Sequence, residues 1–307
     1  MSNQPVTSRA LSLLPPWMLV VVAIVSVQLG AAIAEQLFAT IGFGGVVFVR
    51  TFLGGLILLL LALPRLRGYS RRVYAYMLIY GVTIAANMLT FYAAIERIPL
   101  GIAVAVAFAG PLMLSVLGSR RAIDFVWVIL AAVGILLLSP ITDTTLDPVG
   151  LALAVACGIV WALYIVVTKR AGSLLPGNTM LACSMCIAAV VAAPFGAVSA
   201  LKLLASPSLI GLAVVVALMS SVIPFWLEFK ALKSLAPRTY GLLSSLEPVA
   251  AAVMGWLILH ENLGLDKLIG IALVTVAAAA TTRSDRSTET APAADDYGAE
   301  LAAIPLE

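Results

Sequence analysis

Apolar positions along this chain form unbroken runs, not stripes. From residue 17 onward, blocks of about 20 apolar residues alternate with short polar connections. A helix in a soluble core shows an apolar stripe and a polar back, so runs that are apolar all round belong against lipid or inside a bundle. A helix of that length crosses about 30 Å of hydrocarbon, and it satisfies its own backbone polar groups, as lipid requires. The runs predict ten spans, at 17–38, 44–63, 73–95, 101–119, 124–140, 149–169, 179–200, 208–231, 239–259 and 265–282. The expected fold is an all-α integral membrane protein with little chain left for a soluble domain. Residues 1–16 form a short head. The tail, 283–307, is rich in Ala, Thr and acidic residues, has no periodic apolar face, and is expected to be disordered.

Composition agrees. Of 307 residues, 62% are hydrophobic and 11% charged, against about 25% charged in soluble domains; the mean hydropathy is +1.10. Arg9, the run from Trp17 and Ala32-Ile33-Ala34 imitate a signal peptide, but the same stretch serves as a first span with nine more behind it.

Charge sets orientation. The head, the even-numbered loops and the tail hold 14 Lys and Arg; the alternate loops hold 3, namely Arg97, Lys202 and Lys267. By the positive-inside rule both termini face the cytoplasm. The net charge of +3 reflects this bias and does not point to nucleic acid.

The chain also reads as two halves. "FYAAIERIPLGIAVAVAFAGPL" (91–112) aligns with "FKALKSLAPRTYGLLSSLEPVA" (229–250), matching Phe91 to Phe229 and Pro99 to Pro237 and, after a one-residue gap, Pro111 to Pro248. Each segment joins the third and fourth spans of a five-span unit. The first repeat then covers 17–140 and the second 149–282, joined by an external linker at 141–148 that lacks Lys and Arg. An odd number of spans per half makes this a 5+5 inverted repeat, a transporter design with its substrate site between the repeats.

Ionisable residues inside the spans are the candidate chemistry, since a charge at mid-span costs about 2.5–3.5 kcal/mol on insertion scales. Glu247 stands well inside the ninth span, followed by Pro248, which cannot donate to the Ser244 carbonyl. The alternative to a transport role is a fixed ion pair, with Arg50 as the nearest candidate. Glu228 shares a face with Ser221 and Pro224; its alternative is a carboxylate reaching headgroup water, as is that of Glu35. Arg50, with Gly54 one turn on, offers a guanidinium fork to a carboxylate, either of a substrate or of Glu247. Gln28 aligns with Glu35 on the first span. Tyr80, Thr83, Asn87 and Thr90 align on the third, and Cys157, Trp161, Tyr164 and Thr168 on the sixth. Asn87, Trp161, Tyr164 and Phe108 are taken as cavity candidates beside Glu247, Glu228, Arg50 and Gln28. Pro111, Pro224 and Pro248 are taken as helix bends. Interhelical hydrogen bonding is the alternative role for each polar face.

Other chemistry finds little support. Cys183 and Cys186 form a C-x-x-C in an apolar span without a second pair, so packing explains them better than a metal. His260 is the one histidine, and no H-E-x-x-H occurs, so neither an enzyme nor a metal site is expected. No G-x-x-x-x-G-K-[ST] loop is present, so any pumping draws on a gradient. The polar faces are too short for a channel. No cofactor is expected; the partners are a small-molecule substrate, protons and the lipid bilayer. Nothing in the sequence specifies an oligomeric state.

"PLGIAVAVAFAGPL" (99–112), "SRRAIDFVWVILAAVGILLL" (119–138) and "IPFWLEFKALKSLAPRTYGLLSSLEPVAAAV" (223–253) resemble the EamA type of the drug/metabolite transporter superfamily, and within it the bacterial threonine/homoserine exporter group. The resemblance implies a multi-pass protein of the bacterial inner membrane. It implies export of small neutral amino acids in exchange for protons by alternating access. Efflux of other metabolites or drugs on the same scaffold is the second reading.

Overall fold

The computed structural model describes residues 15–64, 68–117, 147–172, 177–232, 246–260 and 264–284, with 126–127, 129–130, 133–134, 137, 174, 235 and 243–244 between them. All regular structure among them is helical. In chain order, α1 is Pro16–Glu35, α2 Phe38–Ala62, α3 Arg71–Ile95, α4 Leu100–Leu117, α5 Pro148–Gly172 and α6 Gly177–Ala200. A short 3-10 helix, Leu201–Ala205, precedes α7, Pro207–Ala217; a π turn, Leu218–Val222, joins α7 to α8, Ile223–Leu232. Helix α9 is Glu247–Leu259 and α10 is Leu265–Ser284.

Local chemistry accounts for the ends. Prolines at the first positions of α1 and α7 lack an N–H that would have no helical partner there. Ser70 caps α3 by accepting from the Val73 N–H. Gly42, at φ 66° and ψ 171°, interrupts α2 near its start in a conformation that suits glycine.

Among the described residues, six helical stretches are long and apolar enough to cross a membrane: Pro16–Glu35, Phe38–Ala62, Arg71–Ile95, Pro148–Thr168, Thr179–Ala205 and Pro207–Glu228. Leu100–Pro111, Glu247–Leu259 and Leu268–Ala277 are shorter apolar helices. The molecule is an all-α membrane protein. Of the fifth expected span, 124–140, seven residues are described and all are helical; the others lie outside the described residues, as do most of the linker, residues 1–14 and the tail from 285. In the ninth, Leu243 and Ser244 are helical and α9 begins at Glu247, after a turn in which the Leu246 N–H bonds to the Leu243 carbonyl; 239–242 and 245 lie outside the described residues. Pro248 therefore sits in a first turn and not in mid-helix. Pro111 lies within α4, and Pro224 directly follows the π turn.

Large apolar side chains face outward, as lipid allows: Val198 is 83% exposed and Val190 73%. Small residues fill the contacts between helices, where close backbone approach replaces the hydrophobic driving force that lipid removes. A Cβ at Gly110 would lie 1.9 Å from the Gly158 carbonyl oxygen, and one at Gly196 would lie 2.0 Å from that of Gly44. These sites bring α4 onto α5 and α2 onto α6. The main packing pairs are α2–α6, α3–α5, α3–α6, α4–α5, α1–α8, α4–α9 and α1–α9. Cys186 takes part in this packing, with its Sγ against Gly55.

Candidate functional site

Helices α1 to α5, the π turn, α8 and α9 together enclose a cavity of about 120 Å³. Seven of the eight expected cavity residues line it: Gln28, Arg50, Asn87, Trp161, Tyr164, Glu228 and Glu247. Phe108 stands behind it, edge-on to Trp161 at 5.8 Å between ring centroids. Pro224 is in the lining; Pro111 and Pro248 are not.

The polar faces of α3 and α5 meet each other. The Tyr80 and Tyr164 hydroxyls are 3.4 Å apart, and Tyr164 presents its ring edge-on to Phe225. Asn87 Nδ2 donates to the Cys157 carbonyl at 3.4 Å. The threonines turn inward to their own helices: Thr83 bonds the Ile79 carbonyl, Thr90 that of Ala86 and Thr168 that of Tyr164. The cavity lining here is thus aromatic, with Asn87 as its polar contribution from α3.

Arg50 is buried, at 4% exposure. Its Nε donates to Ser221 Oγ at 3.1 Å and its Nη2 to the Ser220 carbonyl. The Tyr92 ring lies beneath the guanidinium carbon, 4.9 Å from centroid to Cζ. The need for these bonds can be read from Pro224. It has no N–H for the Ser220 carbonyl four residues back. Ile223, which in an α-helix would serve Met219, instead donates to Leu218. The Met219 carbonyl accepts from Ser26 Oγ at 2.7 Å, and the Ser220 carbonyl accepts from Arg50. Glycines admit the two flanking helices: a Cβ at Gly30 would meet Ser220 at 2.7 Å and one at Gly54 would meet Ser221 at 3.1 Å. The π turn is thereby held between α1 and α2.

The expected alternative for Glu247, an ion pair with Arg50, is not what the structure contains. Among the described residues the two form no ion pair with each other, while Arg97 joins Asp147 at 2.8 Å. Glu247 is 7% exposed and stands in the first turn of α9, where the positive end of the helix dipole favours a carboxylate. Glu228 lines the same cavity. One cavity thus carries a guanidinium bonded only to neutral oxygens, two carboxylates, an amide pair and an aromatic wall.

Outside the cavity, Asp147 accepts from Arg97 and, through Oδ1, from the Val149 N–H at 2.8 Å, which fastens the start of α5. The Arg97 hydrogen bond, then that of Val149, hold Asp147 below the usual carboxylate range. Among the described residues no group of His, Cys, Asp and Glu is placed to hold a metal ion.

The residues that sequence reasoning missed are Ser220, Ser26 and Tyr92. Serines are unremarkable in a membrane helix. The available signal was Pro224 four residues after Ser220, the same relation that Pro248 bears to Ser244.

A stack of lipid-facing helices around a mixed-charge cavity is the build of a small-molecule membrane transporter. Comparison with known proteins fixes the class: residues 148–283 match the EamA-like transporter family. The chain is 37% identical to the threonine/homoserine exporter RhtA of Escherichia coli (strain K12) over 284 residues, 92% of this chain and 96% of that one. RhtA of Salmonella typhimurium (strain LT2) is 36% identical over the same shares. An uncharacterized transporter of Bacillus subtilis (strain 168), YvbV, is 27% identical over 74% of this chain and 78% of its own. A protein crystal structure of 17% identity superposes with a TM-score of 0.59 over 89% of this chain and 99% of that chain, and shares the fold. The chain belongs to the EamA-like transporter family.

Proposed function

We propose that the protein exports small neutral amino acids of the threonine and homoserine kind across the bacterial inner membrane, in exchange for protons. The observation that carries this is the cavity itself. A zwitterion brings a carboxylate and an ammonium group; Arg50 offers donors to the first, and Glu247 and Glu228 offer charge to the second. Trp161, Tyr164 and Phe225 add π faces that attract an ammonium group. The likeness to the RhtA exporters supports the substrate class. Glu247 and Glu228 share one substrate space, so a proton and an ammonium group compete for the same negative charge. That competition is a physical basis for exchange.

Alternating access about an inverted repeat is part of the proposal. The packing pairs support it. Exchanging the halves turns α3–α5 into α8–α1 and α4–α5 into α9–α1, and leaves α2–α6 and α4–α9 as self-pairs; each of these contacts occurs. Such pairing suits two five-helix units rocking about a shared site.

A second reading, efflux of other metabolites or lipophilic cations, is favoured by the same carboxylates and aromatics. Release of labelled threonine, homoserine and a panel of organic cations from cells with and without the protein separates the two. Faster release of the amino acids alone is expected; release of the cations alone rejects the amino-acid assignment.

A further inference from the structure

We infer that Arg50 is a positioning residue that couples cavity occupancy to the π turn between α7 and α8, because a substrate carboxylate and the Ser220 carbonyl compete for its donors. The inference rests on the reading of the cavity as a site for carboxylate-bearing substrates.

The starting observation is an excess. The Ser220 carbonyl needs a donor because Pro224 supplies none, yet a serine or amide side chain would serve, as Ser26 serves Met219. Instead the donor is a buried guanidinium with no anion beside it among the described residues. Its position is over-determined from three sides: Ser221 holds Nε, Ser220 holds Nη2, and the Tyr92 ring lies under the guanidinium carbon. The same side chain lines the cavity.

A carboxylate accepts from guanidinium through charge-assisted, often bidentate bonds about twice as strong as those to neutral oxygens. One that enters the cavity therefore draws the guanidinium from the Ser220 carbonyl. That carbonyl cannot recover an α-helical bond, since its partner four residues on is Pro224. The turn has to change register or admit water. Helix α8 begins immediately after the turn and carries Pro224, Phe225 and Glu228 into the cavity lining. Movement of the turn thus shifts one of the two carboxylates as substrate binds. The contact of α1 with the turn, through Ser26 and Gly30, passes the same movement to α1. A neutral or purely cationic ligand lacks this lever.

The test uses the full chain in lipid nanodiscs, with hydrogen–deuterium exchange followed over peptides covering 216–228. The probes are threonine, threonine amide and tetraphenylphosphonium, with retention of each labelled probe measured in the same samples. Threonine is expected to speed exchange in these peptides about three- to tenfold, the loss of one hydrogen bond, and threonine amide is not. Arg50→Lys keeps a charge but cannot span both oxygens; it is expected to retain threonine more weakly with no change in exchange. Ser221→Ala, which removes one contact and keeps the guanidinium, is expected to exchange faster with no ligand present. Threonine retained with exchange unchanged in the wild type overturns the inference alone. An equal response in Arg50→Lys does so too. Retention of tetraphenylphosphonium but not threonine, with no change in exchange, overturns both the inference and the amino-acid assignment.

Discussion

Arg50 and Asp147 show how differently charge is used in the two parts of this protein. Arg50 sits dry and holds neutral oxygens. Asp147 sits wet and holds a guanidinium and a backbone N–H at the start of α5. Because these bonds depress the Asp147 pKa, its contribution to stability is present above the unfolded value of about 3.9 and is lost as pH falls through the lower folded value. Thermal unfolding of Asp147→Asn and wild type is therefore expected to differ slightly near neutral pH and to converge in acid, once the pH has fallen through the lowered Asp147 value. A difference that persists unchanged in acid contradicts the assignment. At this level the sequence was most informative where a charge interrupts an apolar run: Arg50, Glu228 and Glu247 were legible because lipid makes such residues costly. The serines that hold the π turn were not, because a serine costs little anywhere along a helix. Nor could the sequence say whether Arg50 meets Glu247, since that depends on which helices α2 and α9 pack against.

Several helices were read nearly to their ends from hydropathy alone; α3 was expected at 73–95 and runs Arg71–Ile95. Hydropathy records length and apolarity, but not a change of helical register. For this reason the eighth span looked like one helix, while the chain forms α7, a π turn and α8. The ninth span likewise looked continuous, although a turn at Leu246 separates α9 from the helical Leu243 and Ser244. Close helix crossings are equally hidden, because glycine is common in membrane helices for several reasons. The structure separates them. Gly110 faces the Gly158 carbonyl, while Gly211 of α7 faces open space. Gly110→Ala is expected to cost about 1–3 kcal/mol through overpacking, and Gly211→Ala to be neutral or to stabilise by up to about 1 kcal/mol. Unfolding in a single detergent under matched conditions checks both. Equal effects would mean that the α4–α5 crossing is looser than described.

Across the whole molecule, charge and packing are two independent supports for the proposed inverted repeat. By the positive-inside rule, the Lys and Arg bias favours opposite sides of the membrane for the two ends of the bundle. The helix pairs fall into sets that exchange under a two-fold relation of the halves. An inverted repeat predicts that a reporter fused after Glu307 reads cytoplasmic and one inserted between Ile141 and Asp147 reads external. Both on one side would break the relation between the halves. The substrate was the least legible feature, because a cavity of this size and mixed charge accepts more than one zwitterion or cation.

Glu247 is where the proposed exchange is decided. It is a titratable group in the cavity that Glu228 and Arg50 also line. Glu247→Gln keeps the shape and removes the proton. A neutral amide is also easier to hold in a membrane than a charge, so the variant is expected to fold. The decisive measurement is flux of labelled threonine from liposomes containing purified protein, across an imposed pH step. The wild type is expected to accelerate with the step. Glu247→Gln is expected to lose about tenfold or more of that acceleration while still exchanging threonine slowly at equal pH. Unchanged rate and pH response in Glu247→Gln would contradict the account.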